Sequence, residues 1–178
     1  GFGNDIRHLS KPADAPEVTS LVLGSAHALV KLDDGEVVGD PMEKATLEAV
    51  GWELGEKDVV YRALGKNKTQ KIHILRRFQF SSALKRSSSI SAIGSKTLVS
   101  VKGAPETIRH RLTKIPEQYE AIYKSFTRSG SRVLALAYKY LEDEIAHSKV
   151  NKLEREDVEE GLEFAGFIVF HCPLKDDA

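Results

Sequence analysis

Four short stretches of this 178-residue chain carry side chains whose types and spacing could do chemistry. Lys102-Gly103-Ala104-Pro105-Glu106 reads as a strand-to-helix junction. A lysine there offers a point charge to an anionic ligand, and Gly103 with Ala104 keeps the surface low enough for a flat ring to reach the backbone. A plain strand-turn-helix connection would read the same way. Phe78-Gln79-Phe80-Ser81-Ser82-Ala83-Leu84-Lys85-Arg86 sets aromatic rings beside cations, the groups that would stack on a purine and hold its phosphates. In an extended chain Phe78 and Phe80 share a face, so both belong to the core or both border a cleft. Glu43, in Asp40-Pro41-Met42-Glu43, either closes a capping box or offers its carboxylate to the amino group of a base. Arg132, ahead of the apolar run 133–137, has the bidentate fork that suits phosphate, or pairs with a surface acid.

Other chemistries lack their residues. There is no G-x-x-x-x-G-K-[ST] loop, and Gly1-Phe2-Gly3 opens no G-x-G-x-x-G. The six histidines give neither an H-E-x-x-H spacing nor an assignable Ser/His/Asp triad. No catalytic and no metal-binding residue is assigned.

The elements that must position these groups follow from pattern and punctuation. A helix is predicted after Pro16, with Val18, Leu21, Val22 and Ala26 at helical spacing, ending before the Asp33-Asp34-Gly35 turn. Val37-Val38 reads as a short strand. Asp40 as N-cap and Pro41 at the first turn start a second helix running to about Val50. Residues 71–80 and 96–102 have strand composition, and the Ser-rich piece around 87–91 reads as a strand or hairpin arm between them. Pro105 opens a short helix. Pro116 opens a longer one, with Tyr119, Ile122, Tyr123 and Phe126 on one face and Gly130 at its end. A strand at 132–140, a charged helix at about 142–158 and a strand at 163–170 complete an α+β reading with a largely antiparallel sheet.

Composition sets the outer bounds. Lys+Arg and Asp+Glu both number 26, so the net charge is zero. Yet from Val59 to Pro105 there is no acid and there are ten bases, which leaves the rest of the chain ten acids in excess. This segregation predicts a local basic cleft. The longest apolar runs fall far short of the roughly 20 residues that span a bilayer. A single cysteine, Cys172, excludes an internal disulfide and suits a reducing compartment. The start Gly1-Phe2-Gly3, without Met or a signal-peptide pattern, suggests a piece of a longer chain.

Taken in order, the four stretches resemble the nucleotide-binding domain of P-type ATPases, pumps that phosphorylate themselves on aspartate. Lys102-Gly103-Ala104-Pro105-Glu106 resembles that family's K-G-A-P-E and Gly39-Asp40-Pro41-Met42-Glu43 its G-[DE]-x-x-E. Phe80-Ser81 resembles its F-S, and Arg132 to Ala137 its R-x-L-A-[LV]-A. The wording from Phe80 to Arg86, with His171-Cys172-Pro173-Leu174-Lys175, is similar to the type-V group, and Gly39 to Ala45 to its endoplasmic-reticulum branch, subgroup A.

The resemblance implies a twisted antiparallel sheet flanked by helices: an entry segment at 1–15, a nucleotide-binding domain at 16–170 and a hinge at 171–178. It implies ATP as ligand, with Mg2+ accompanying ATP in the whole protein. Phe80 would stack on adenine, Glu43 contact its amine side, and Lys102 with Gly103 line the base pocket. Lys85 and Arg132 would meet the phosphates. Ser82 stands where ion-pumping relatives often have a base, so its contact would be weaker, and Ser87 stands where this branch usually has Met. The phosphorylation motif, the magnesium site and the membrane helices lie outside these residues, so the chain holds ATP without hydrolysing it. The implied partners are the phosphorylation and actuator domains of the same chain. Nucleic acid and direct membrane contact are not implied, and the unit is monomeric. The implied setting is the cytosolic face of the endoplasmic reticulum, where the branch removes misinserted transmembrane helices. Two other readings compete: a nucleic-acid-binding module built on residues 59–105, and a silent scaffold regulated by phosphorylation of Ser87, Ser88 or Ser89.

Overall fold

A computed structural model describes residues 15–142 and 147–171. The entry segment before residue 15, Cys172 and the rest of the hinge after it lie outside the described residues.

Seven strands form one antiparallel meander in chain order: β3 (Glu53–Leu54), β4 (Val59–Ala63), β5 (Thr69–Ser81), β6 (Arg86–Ile93), β7 (Lys96–Gly103), β8 (Arg132–Leu141) and β9 (Glu163–Phe170). A separate two-stranded ribbon pairs β1 (Val30–Lys31) with β2 (Val37–Val38). Helices α1 (Glu17–Ser25) and α2 (Pro41–Ala49) cover one face of the large sheet. The other face carries α3 (Pro105–Ile108), α4 (Tyr119–Arg128), α5 (His147–Val150) and α6 (Arg155–Val158). The fold is therefore α+β.

Alternation along the central strands sorts side chains into two cores. Leu98 and Leu136 join Val22, Leu47 and Trp52 under α1 and α2. Their neighbours Val99, Val101, Ala135 and Ala137 join Ile108 and Tyr119 under α3 and α4. This double burial is why residues 133–137 are apolar without alternation. The serines of β6 have a packing role. Ser89 donates to the Ser25 carbonyl and Ser25 hydrogen-bonds Ser100 at 2.6 Å, so small side chains let α1 lie close on the sheet. Gly24 helps in the same way, since a Cβ there would sit 2.7 Å from the Trp52 indole nitrogen.

Several expectations need correction. The helix after Pro16 stops at Ser25, and the chain before the Asp33-Asp34-Gly35 turn is strand β1 instead. The helix expected from Pro116 begins at Tyr119. The charged helix expected at 142–158 is, where described, two single turns. Its break has a cause: Arg76 Nη1 binds the carbonyls of Val150 and Leu153, which a continuous helix would use internally. Ser88 and Ser89 are buried, which removes them as accessible phosphorylation targets.

Phe78 and Phe80 do not share a face. The register pairs Phe78 with Ser88 and Ser81 with Arg86, so three steps on β5 match two on β6. This bulge turns Phe80 to the side opposite Phe78. Phe78 is partly buried against the core under α3 and α4, with the Arg76 guanidinium 4.3 Å from its ring centroid, and only borders the cavity described below, whereas Phe80 is 64% exposed.

Candidate functional site

Where α1 ends, the segment 26–29, the start of α2 and the ends of β5, β7, β8 and β9 enclose a cavity of about 300 Å3. Glu43, Phe80, Lys102, Gly103 and Arg132 all line it, having come from four separate elements. The register explains the convergence. Lys102 pairs with Leu136 across β7 and β8, and Arg132 lies four residues before Leu136 on the same face.

Asp40 caps α2 by accepting from Met42 N at 2.8 Å, as expected. Glu43, however, does not turn back onto the cap. Its Oε1 accepts from Ala28 N at 3.3 Å and its Oε2 from Lys102 Nζ at 2.6 Å. The capping-box alternative fails because the carboxylate is held across the cavity by a lysine from another element. Both side chains of this pair are mostly buried, so the bond is stronger than a surface ion pair.

Gly103 is small for a different reason than the one read from sequence. A Cβ there would meet Lys85 O at 2.6 Å and Arg86 Cβ at 2.8 Å, so the residue is demanded by the close approach of β7 to the β5–β6 turn. Ala104 N donates to Lys85 O at 3.0 Å and ties the two segments together. Lys85 itself adopts a left-handed φ of 56° in that turn. Lys85 and Ser82 are exposed on the turn beside the cavity and do not line it.

Among the wall residues that sequence reasoning missed are His27, Met42 and Arg77. His27 carried no signal beyond being one of six scattered histidines, and Arg77 counted only as a cation in the acid-free block. Arg77 donates Nε to the His27 carbonyl at 2.9 Å and Nη1 to Asp58 at 2.7 Å, fixing segment 26–29 against the sheet. Burial, and then the positive charge of Arg77, pull the His27 pKa down to about 4. The ring is neutral at pH 7.

The basic cleft expected from charge segregation is partly neutralised, with four of the ten bases of the acid-free block in ion pairs. Arg62 pairs with Glu17, Arg77 with Asp58, Arg86 with Glu159 and Lys102 with Glu43, each acid coming from outside the acid-free block. Among the described residues, Arg132 at the mouth makes no ion pair, so it is a cation available to an anion there.

Comparison with known proteins supplies the context for this cavity. Residues 18–177 match the family described as P-type ATPase, cytoplasmic domain N. The chain is similar to the endoplasmic reticulum transmembrane helix translocase of Saccharomyces cerevisiae, at 62% identity over 98% of this chain and 14% of that protein. It is 52% identical to the corresponding translocase of Aspergillus fumigatus, over 99% of this chain and 15% of that protein. It is also 46% identical to a probable manganese-transporting ATPase of Arabidopsis thaliana, over 92% of this chain and 14% of that protein. The chain thus spans about one seventh of the length of these relatives.

Proposed function

Because this chain belongs to the P-type ATPases, as their cytoplasmic domain N, we propose that the cavity beside Phe80 holds ATP. The observation that supports this reading is the meeting, in one cavity, of an exposed aromatic, a lysine beside a close-packed glycine, a carboxylate and a free arginine. Phe80 stacks on adenine, and Lys102 and Gly103 line the base. Glu43 receives the amine side. Its two bonds to Ala28 and Lys102 leave lone pairs on each oxygen, since a carboxylate has about four acceptor sites. Arg132 meets the phosphates at the mouth, with Lys85 reaching in from the turn and Ser82 contributing weakly.

Among the described residues no cluster of three His, Cys, Asp or Glu side chains could hold a metal. Mg2+ would enter with ATP. The domain, monomeric and built from residues 16–170, presents the γ-phosphate to an aspartate on a phosphorylation domain of the same chain, while an actuator domain completes the cycle. By itself it binds ATP without hydrolysis, and nucleic acid is not a ligand. The names of the two fungal relatives support a whole protein at the endoplasmic reticulum that translocates transmembrane helices, and the action proposed for it is the removal of misinserted ones. The domain then lies on the cytosolic side. No helix among the described residues is long and apolar enough to cross a membrane.

Calorimetry with ATP tests the binding. The chain should bind ATP at one site, and Arg132→Ala should weaken ATP much more than adenosine. Equal losses for both ligands would remove Arg132 from the phosphate site. No ATP binding at all would overturn the proposal.

A further inference from the structure

We infer that His27 is a specificity-determining residue of the cavity, donating a hydrogen bond from Nε2 to a ring nitrogen of the bound purine. This rests on the ATP-binding reading above and adds a contact that none of the four sequence motifs contains.

The tautomer follows from geometry. Leu29 N donates to His27 Nδ1 at 3.1 Å, so Nδ1 is the acceptor nitrogen. A neutral imidazole then carries its hydrogen on Nε2. Burial and the neighbouring Arg77 keep the ring neutral at pH 7.

That donor has nothing to bond. His27 is 6% exposed and lines the cavity, and its Nε2 is buried without a partner. An unmet buried donor is costly and rare in a native structure, which makes a ligand acceptor its natural complement. The same wall holds a second unmet donor, Arg77 Nη2. Of the two carboxylates lining the cavity, Glu43 is engaged by Ala28 N and Lys102 Nζ, and Asp40 accepts from Met42 N. A wall rich in donors therefore faces a ligand edge rich in acceptors. Purine ring nitrogens are such acceptors, and a base stacked on Phe80 would bring its edge toward the far side of the cavity.

The ring is also held in place. Arg77 Nε donates to the His27 carbonyl and Ala28 N donates to Glu43, so both polar groups of the peptide unit that follows His27 are anchored in the same wall. A donor so positioned discriminates by geometry.

The test is a cycle between protein and ligand. Affinities for ATP and for 1-deaza-, 3-deaza- and 7-deaza-ATP are measured on the wild-type chain and on His27→Leu. One deaza analogue should lose about tenfold on the wild type, the value of one well-formed hydrogen bond, and bind His27→Leu as well as ATP does. Equal wild-type binding of all four nucleotides, or a loss that persists in His27→Leu, would overturn the assignment to His27 while leaving ATP binding intact. Failure of the wild type to bind ATP would instead overturn the function itself. Imidazole nitrogen NMR on the wild type gives a reading independent of the variant's folding. The His27 Nε2 resonance should shift as ATP saturates the site, and an unmoved resonance would overturn the inference.

Discussion

Phe80 combines two properties that rarely coincide, a large ring mostly in solvent and a place on a cavity wall. Truncating it removes little from either core, so Phe80→Ala should change unfolding free energy by less than about 0.5 kcal/mol. Its loss of ATP affinity should be about 1–3 kcal/mol if the ring stacks on the base. Denaturant unfolding and calorimetry on the same variant separate the two effects. Unchanged affinity would leave Phe80 as a surface aromatic. His27 gives a different signature. Its folded pKa of about 4 lies below the unfolded value of about 6.5, so the unfolded state binds the extra proton between them. The stabilisation from keeping the ring neutral is complete above pH 6.5 and is lost as pH falls toward 4, by up to about 3 kcal/mol. Unfolding curves from pH 7 to pH 4 should therefore fall more steeply for the wild type than for His27→Leu. Parallel curves would mean that the ring is not neutral in the folded chain.

The β5–β6 hairpin is the element on which the site depends, and it is anchored from the opposite face of the sheet. Arg86, 3% exposed, donates Nε to Glu159 Oε1 at 2.6 Å, and Glu159 is wholly buried. Arg155 bonds the same carboxylate at 3.0 Å and the Arg86 carbonyl at 2.7 Å. Removing one partner strands a buried charge, so Glu159→Ala should cost about 3–5 kcal/mol, measured by denaturant unfolding. A loss below about 1 kcal/mol would show that water reaches Arg86. Gly103→Ala attacks the same hairpin by steric overlap with Lys85 O and should cost about 1–3 kcal/mol while weakening ATP. At this scale sequence and structure part company for identifiable reasons. Strands β6, β7, β8 and β9 were legible because composition, turns and the Gly and Pro signals agreed. The β5 bulge was not, because two-residue alternation carries no mark of an inserted residue, and so Phe78 and Phe80 were placed together. The broken helix after Glu142 was illegible because Arg76, some seventy residues away, takes its carbonyls. Glu43 had two readings in sequence, and the choice rests on Lys102, 59 positions further along.

Over the whole molecule, zero net charge now reads as pairing across the fold. Four bases of the acid-free block from Val59 to Pro105 meet acids in space at Glu17, Asp58, Glu159 and Glu43, and among the described residues Arg132, on the cavity wall, makes no ion pair. Of the cations lining the cavity, Arg77 and Lys102 are paired and Arg132 is not, which suits one small polyphosphate better than a long polyanion. A nucleic-acid module would show affinity for oligonucleotides falling steeply with salt, with a slope of several units, because each phosphate contact releases counterions. Little oligonucleotide binding at low salt is expected here, and a steep slope would revive that reading.

The central claim is that one cavity, assembled from α2 and strands β5, β7 and β8, holds ATP. Titrating the isotope-labelled chain with ATP and following backbone amide shifts tests it most directly. Saturable shifts are expected to cluster at residues around Glu43, Phe80, Lys102 and Arg132, with the outer faces of α4 and of the β1–β2 ribbon unmoved. Shifts absent from that cluster at saturating ATP, or centred elsewhere on the domain, would contradict it.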